Sequence, residues 1–529
     1  MAAESGHSAD ITHAMITTPM TAADWLIIAP VVLPIMFGAI LLMLRYTSVR
    51  QAVMANLALA FMFVIETALL LHVAEAGPQT MTMGRWLPPF GISFSVDITG
   101  VVLSLAGTFV ALMCGLYSVV DVDAPRTRYG FYPFLMLMMA GVNGAFLTGD
   151  VFNLYVWFEV LLISSFGLIV LGSEKAQLDG AIKYAFLNLI GTTLFLIATG
   201  YLYGAFGTLN MADITRMAAT PPADAPVRTI VVLYLFAFAM KAAAFPLNAW
   251  LPASYHTPDS AISALFGGLL TKVGAYALLR TMILLMPAAR DVLDPVITVV
   301  AVFTLLLGPM GAMAQTNLRR AIGFLVIGGI GSVMAGIAIS GPYGVPGGGL
   351  YALHSMLTMT AFYLVAGLVE QISGTDDIRK MGGIYRASSV LSILFLVLVF
   401  AAAGLPPFLG FWPKLLLLQG ALSTDDWLLA AAILVNSLFT SIAGARIWAH
   451  VFWRNGREGE PATASNPDLK PVSEAISRPA ILASVVLVAL ILYMGLRPNI
   501  LFESARIAAS DLLDPARYTQ AVNLEVPER

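Results

Sequence analysis

The sequence is short of charge and almost without cysteine. Only 11% of its 529 residues are Asp, Glu, Lys or Arg, against about 25% in a soluble domain. With 59% hydrophobic residues, that shortage describes a polytopic membrane protein. The single cysteine, Cys114, excludes an intrachain disulfide and a four-cysteine iron–sulfur cluster. The six histidines are scattered and lack metal-site spacing. A net charge of −3 carries no basic surplus, so no nucleic-acid partner is expected. Residues 1–24 contain neither Lys nor Arg and no apolar core, and do not read as a signal peptide. No phosphate loop or nucleophile elbow stands out, and Gly347–Gly349 is a plain glycine run entering a helix. No cofactor is implied.

What the chain has instead is apolar length. A spanning helix needs ~20 mostly apolar residues. Fourteen stretches qualify: 25–45, 52–74, 97–120, 130–148, 150–172, 180–205, 229–251, 258–286, 294–314, 321–340, 348–372, 387–420, 426–453 and 480–497. The seventh is interrupted at Pro246, and the twelfth must break at Pro406-Pro407. Between the second and third, Met81–Met83 and Ile92–Val96 fit a short extended hairpin around Pro88-Pro89. The predicted class is therefore all-α and polytopic.

The two interrupted stretches stand five apart, so equivalent helices run in opposite directions. Paired broken segments are the sequence pointer to inverted repeats. The expected organisation is an N-terminal segment (1–24), peripheral helices one to three (25–128), a first five-helix repeat (129–286) and a second (294–453). A linker (454–479), a last helix (480–497) and a surface C-terminal tail (498–529) follow. The tail reads as an amphipathic helix lying on the membrane. The odd-numbered loops, with Arg45, Arg50, Arg126, Arg128, Arg319, Arg320, Arg379, Lys380, Arg454 and Arg457, carry about twice the Lys and Arg of the others, which makes them cytoplasmic. Both termini and the N-terminal segment are then extracytoplasmic, and the linker is cytoplasmic.

Few ionisable groups lie deep inside these stretches, and each is a candidate functional group by default. Glu159 is in the fifth, Lys241 in the seventh, Lys272 in the eighth, His354 in the eleventh and Lys414 in the twelfth. Removing an ammonium from water disfavours its charged form, so a buried lysine can exchange its proton near neutral pH. A carboxylate close to Lys241 would tip that balance back, and Glu159 is the candidate partner. Glu66, Arg280 and Arg446 read as structural pairs or snorkelling side chains. His354 reads equally well as a core histidine or as a proton carrier.

These residues sit in phrases that resemble a known family. Gly149-Asp150 through Phe158-Glu159, Met240-Lys241 through Phe245-Pro246 with Trp250 and Pro252, and Leu270-Thr271-Lys272 through Tyr276 are three of them. Gln315 through Arg320, Gly382-Gly383 and Gly404 through Lys414 continue the pattern. They are similar to the antiporter-like subunits shared by respiratory complex I and the multisubunit Mrp-type cation/proton antiporters. Ala261 through Lys272 and Gly207 through Asp213 resemble the D-type subunits of the Mrp group.

The resemblance implies fourteen helices, inverted repeats and a proton path through Glu159, Lys241, Lys272, His354 and Lys414. It also implies partners: other hydrophobic subunits of a Mrp-type complex, Na⁺ or K⁺ together with H⁺, and lipids of a bacterial inner membrane. One departure stands out. Where relatives often have a lysine five residues after the histidine, this chain has Met359. The alternatives are a proton-pumping subunit of a complex I-like or hydrogenase redox complex, and a membrane enzyme or scaffold without an ion path.

The orientation is testable. In a Cys114→Ser background, Ser465→Cys should react with an impermeant maleimide in inverted vesicles and not in intact cells. Labelling from the outside alone would reverse the assignment.

Overall fold

A computed structural model describes residue 16 and residues 19–87, 90–461, 465–472 and 477–522. Most of the N-terminal segment, Pro88-Pro89 and the end of the tail lie outside the described residues. Among those described, eleven helices are long and apolar enough to cross a membrane. They are α1 (Ala22–Met43), α2 (Ser48–Ala76), α3 (Ile98–Asp121), α5 (Val151–Ile169), α6 (Lys175–Phe206), α8 (Ser260–Leu285), α9 (Pro287–Ala314), α10 (Leu318–Ile339), α11 (Gly341–Ser373), α14 (Trp427–Trp453) and α15 (Arg478–Leu496). Shorter apolar helices fill the intervals: α4 (Phe131–Leu147), α7 (Val227–Ala242), α12 (Ser389–Ala403) and α13 (Phe411–Ser423).

The breaks fall where the prolines require them. After α7 the chain leaves the helix through Ala243, which adopts a left-handed conformation with φ 59°. It resumes only as the short helix Trp250–Ser254. After α12 it turns at Gly404, φ 80°, and resumes as α13. Phe245-Pro246 and Pro406-Pro407 are both cis. The groups that the first break frees are satisfied locally: Trp250 Nε1 donates to the Met240 carbonyl at 3.0 Å, and Phe245 N donates to Thr304 Oγ1 at 3.0 Å. Non-helical backbone at membrane depth persists only with such partners.

The centre of the molecule is α8. Every residue of its apolar window is buried (100%), against 33% for α2 at the edge. It passes α11 closely: a Cβ at Gly268 would stand 2.2 Å from Thr360 Oγ1. Just there the helix widens into a π-turn, Phe266–Leu270. The expected hairpin is present, as β1 (Gln79–Thr82) paired antiparallel with β2 (Ser93–Val96), Gln79 opposite Val96 and Thr82 opposite Ser93.

The tail departs from expectation. Its described part forms α16 (Pro498–Leu513) and α17 (Pro515–Ala521), which pack on protein. Leu501, Ala505, Ala509 and Leu512 of α16 are buried, and Thr99 Oγ1 donates to the Ala508 carbonyl at 3.2 Å. Beneath them Asp97 and Arg280, both fully buried, form an ion pair at 2.6 Å. Asp97 also caps α3 through the Gly100 N–H, at 2.8 Å. Arg280 Nε donates to Tyr276 Oη at 2.9 Å, and the rings of Tyr276 and Tyr518 flank its guanidinium. Arg280 is thus a structural pair, as its sequence position suggested. Arg446 is exposed and reaches the Met313 carbonyl, as a snorkelling residue does.

Removing one member of such a pair leaves the other charge stranded. Arg280→Met should destabilise the purified complex by ~3–5 kcal/mol, and the double variant Asp97→Asn/Arg280→Met should recover most of that loss. Thermal denaturation followed by gel filtration reads both. A single variant as stable as the parent would refute the pairing.

Candidate functional site

The five candidate residues sit on five different helices, and the structure gives each a defined contact set. Lys241 occupies the last turn of α7 and is buried. Its Nζ donates to Thr192 Oγ1 at 2.9 Å and lies 4.9 Å from the Phe158 ring centroid, a cation–π distance. Glu159, next to that ring on α5, acts on the ammonium through space without forming an ion pair with it. Glu159 Oε1 is buried with no hydrogen-bond partner. The expected Glu159–Lys241 contact is therefore open in this conformation, with Thr192 as the lysine's partner. Sequence alone does not single out Thr192; a hydroxyl in a long apolar helix carries no signal of which side chain it meets.

Lys272 lies just past the π-turn of α8 and is fully buried. Its Nζ donates to the Gly267 carbonyl at 2.5 Å. Widening of the helix displaces backbone carbonyls from their usual partners, and such π-turns recur at functional sites. The lysine thus folds back onto its own helix.

His354 is within electrostatic reach of both Lys272 and Lys414. Its Nδ1 is 3.1 Å from Thr358 Oγ1, and Nε2 has no partner. That nitrogen faces the second break: a Cβ at Gly410 would stand 2.8 Å from it. Met359 is buried, and its neighbour Thr360 donates to the Met356 carbonyl at 2.8 Å. The polar groups of this stretch of α11 are therefore His354, Thr358, Thr360 and Ser355, whose Oγ is unpartnered.

Lys414 has the most complete shell. Its Nζ donates to the Ala402 carbonyl (3.2 Å), the Ala403 carbonyl (3.1 Å), Asn436 Oδ1 (3.1 Å) and Ser437 Oγ (3.0 Å). The first two are terminal carbonyls of α12, the negative end of that helix dipole. Asn436 is held in turn by its own amide donating to the Leu305 carbonyl at 2.7 Å. Pro309, four residues on, is what deprives that carbonyl of a helical partner. Asn436 and Ser437 also escape sequence analysis. A lone Asn in α14 is the one visible sign.

All three ammonium groups are met by neutral acceptors. Among the described residues no carboxylate hydrogen-bonds or pairs with them. At the end of the bundle where Asp121, Arg126, Asp259, Arg319 and Glu370 gather lies a polar cleft. There Arg126 pairs with Asp259 (3.0 Å) and Glu174 (2.8 Å), and Arg319 with Glu370 (3.0 Å). His256 nearby is held down to about 4 by burial and then by the charge of Arg320, so it stays neutral at pH 7.

A profile described as the transmembrane region of NADH:quinone oxidoreductase/Mrp antiporter proteins matches residues 148–440. The chain belongs to this family. It is 34% identical over 497 residues to the D-type subunit of the Na(+)/H(+) antiporter of Alkalihalophilus pseudofirmus, covering 94% of this chain and 99% of that one. A chain of the Mrp complex from a Dietzia species matches its structure with a TM-score of 0.86 at 27% identity, over 95% of this chain and 100% of that one. A chain of respiratory complex I from Thermus thermophilus shares the fold, with a TM-score of 0.78 at 23% identity over 93% and 99%. The matched region contains Glu159, Lys241, Lys272, His354 and Lys414. All three buried lysines of this Mrp-family chain are therefore in the part that defines the family.

Asn436→Leu should leave the Leu305 carbonyl without a donor and remove one of the four Lys414 partners. A stranded buried group costs about 1–3 kcal/mol, so the thermal midpoint of the complex should fall. An unchanged midpoint would show that Asn436 is not what holds Lys414.

Proposed function

We propose that the chain is the D-type subunit of a multisubunit monovalent-cation/proton antiporter, carrying protons through Glu159, Lys241, Lys272, His354 and Lys414. The observation that carries this reading is the set of three buried ammonium groups, each held by carbonyls or hydroxyls and none by a carboxylate. A permanently charged structural lysine would be expected to have an acidic partner, as Arg280 does. The 34% identity to a D-type Na(+)/H(+) antiporter subunit across almost the whole chain favours the antiporter over the redox-complex alternative, whose complex I chain is 23% identical. The multisubunit Mrp match supports partner subunits in the same membrane.

In this reading Lys241 alternates between Thr192 and Glu159. Bound to Thr192, it is free of the carboxylate and gives up its proton readily. Drawn to Glu159, it holds the proton, because a nearby opposite charge favours the charged form. Lys272, His354 and Lys414 pass protons between the two breaks, with Thr358 and Ser355 as hydroxyl steps. The stretches 129–286 and 294–453 are the two inverted repeats, each with a half-helix ending beside a lysine. The chain crosses a bacterial inner membrane fourteen times with both termini outside, and no cofactor takes part.

His354→Ala removes the ring between Lys272 and Lys414 where no second lysine stands by. Cation-driven proton flux in inverted vesicles should fall at least about tenfold, the equivalent of 1.4 kcal/mol on the barrier, with normal complex yield. Parental flux in that variant would make His354 a packing residue and break the proposed line at its middle.

A further inference from the structure

Glu66 is the buried ionisable group that the lysine line does not use. It lies within α2 and is fully buried, where the sequence predicts a paired or snorkelling side chain. It is neither. Its Oε1 accepts hydrogen bonds from Thr108 Oγ1 of α3 at 2.7 Å and from Asn143 Nδ2 of α4 at 2.9 Å. Ser104, one turn before Thr108, faces the same carboxyl. Asn143 Nδ2 also donates, at 3.0 Å, to the Pro30 carbonyl of α1, which Pro34 leaves without a helical donor. Every group acting on Glu66 is neutral, and among the described residues no Lys, Arg or His pairs with it.

Side chains of α3 and α4 thus meet one carboxyl of α2, with Thr108 Oγ1 and Asn143 Nδ2 on Oε1 and Ser104 beside them. Glu66 Oε2, Ser104 Oγ and Asn143 Oδ1 are each buried without a hydrogen-bond partner. A carboxyl in such a place has two routes to neutrality. A proton on Oε2 would let it donate to Ser104. A cation bound by the carboxylate and the two hydroxyls would serve equally. Carboxylate, hydroxyl and carbonyl oxygens are hard donors and favour hard cations. One carboxylate offers one negative charge, which matches a monovalent ion.

We propose that Glu66, Ser104 and Thr108, with the Asn143 amide holding the carboxylate in place, form a Na⁺-type cation site in which the cation and a proton compete for the Glu66 carboxylate. Binding of the cation releases the proton and leaves the net charge unchanged. The site rests on the antiporter reading, and it adds a place for the cation away from the lysines. An outer groove between α2 and α3, with Asn56, Ser118 and Tyr132 along it, leads toward the site. It stops at Ala60, about 9 Å along the helix from Glu66. The tilted rings of Phe63 and Phe109, 5.7 Å apart, lie in that interval.

The test uses the purified complex and a hydrophobic carbodiimide, which modifies a protonated buried carboxyl, with Glu66 followed by mass spectrometry. In Na⁺-free buffer Glu66 should be modified, and added Na⁺ should protect it. Ser104→Ala removes a hydroxyl that has no partner to strand, so it should assemble normally and raise the Na⁺ concentration needed for protection by about tenfold. Glu66→Gln should abolish the Na⁺ dependence of proton flux in vesicles. Modification indifferent to Na⁺, or no modification at all, overturns the site. Protection by Na⁺ in a complex that shows no cation-driven flux would keep the site and refute the antiporter reading instead.

Discussion

An ammonium ion in the interior of a membrane protein must be solvated by something, and here the solvent is backbone. Lys414 rests on the terminal carbonyls of a helix that stops in mid-membrane, and Lys272 on a carbonyl of its own π-turn. Lys241, at the end of another half-helix, finds a threonine hydroxyl and an aromatic face. Carbonyls stabilise positive charge without adding a second charge. The broken helices, the prolines that break them and the side chains that cover the freed groups follow from that one requirement. Trp250, Thr304 and Asn436 serve the breaks as directly as the lysines do.

The second requirement is closeness. The lysine- and histidine-bearing helices run close to one another. The Gly268–Thr360 approach and the position of Gly410 against His354 bring α8, α11 and the second break together. A side chain at either glycine would push these helices apart. The burial of α8 on every side makes it the fixed member around which the others are placed.

Much of this is legible in the residues. Runs of apolar length mark the helices. Lysines beside prolines mark the breaks, and alternation around a Pro-Pro pair marks the hairpin. Each is a local signal, because helix length, proline geometry and strand period are local properties. What stays hidden is contact between distant parts of the chain. Nothing near Arg280 announces Asp97, and nothing near Lys241 announces Thr192. Glu66 reads as paired because buried acids usually are; only the arrangement of four helices shows three neutral neighbours in place of a cation. The tail reads as membrane-bound because an amphipathic face looks the same whether lipid or protein covers it.

That tail has a bearing on how the molecule is made. The Asp97–Arg280 pair joins α3 to α8, and its outer side is closed by Tyr518 and α16. Helices enter the membrane in order of synthesis, so both charges are buried among their neighbours long before residues 498–521 leave the ribosome. Until then the pair has an unsealed flank, open to lipid headgroups or water. The Asp97–Arg280 pair is therefore closed off only when the last described helices fold back.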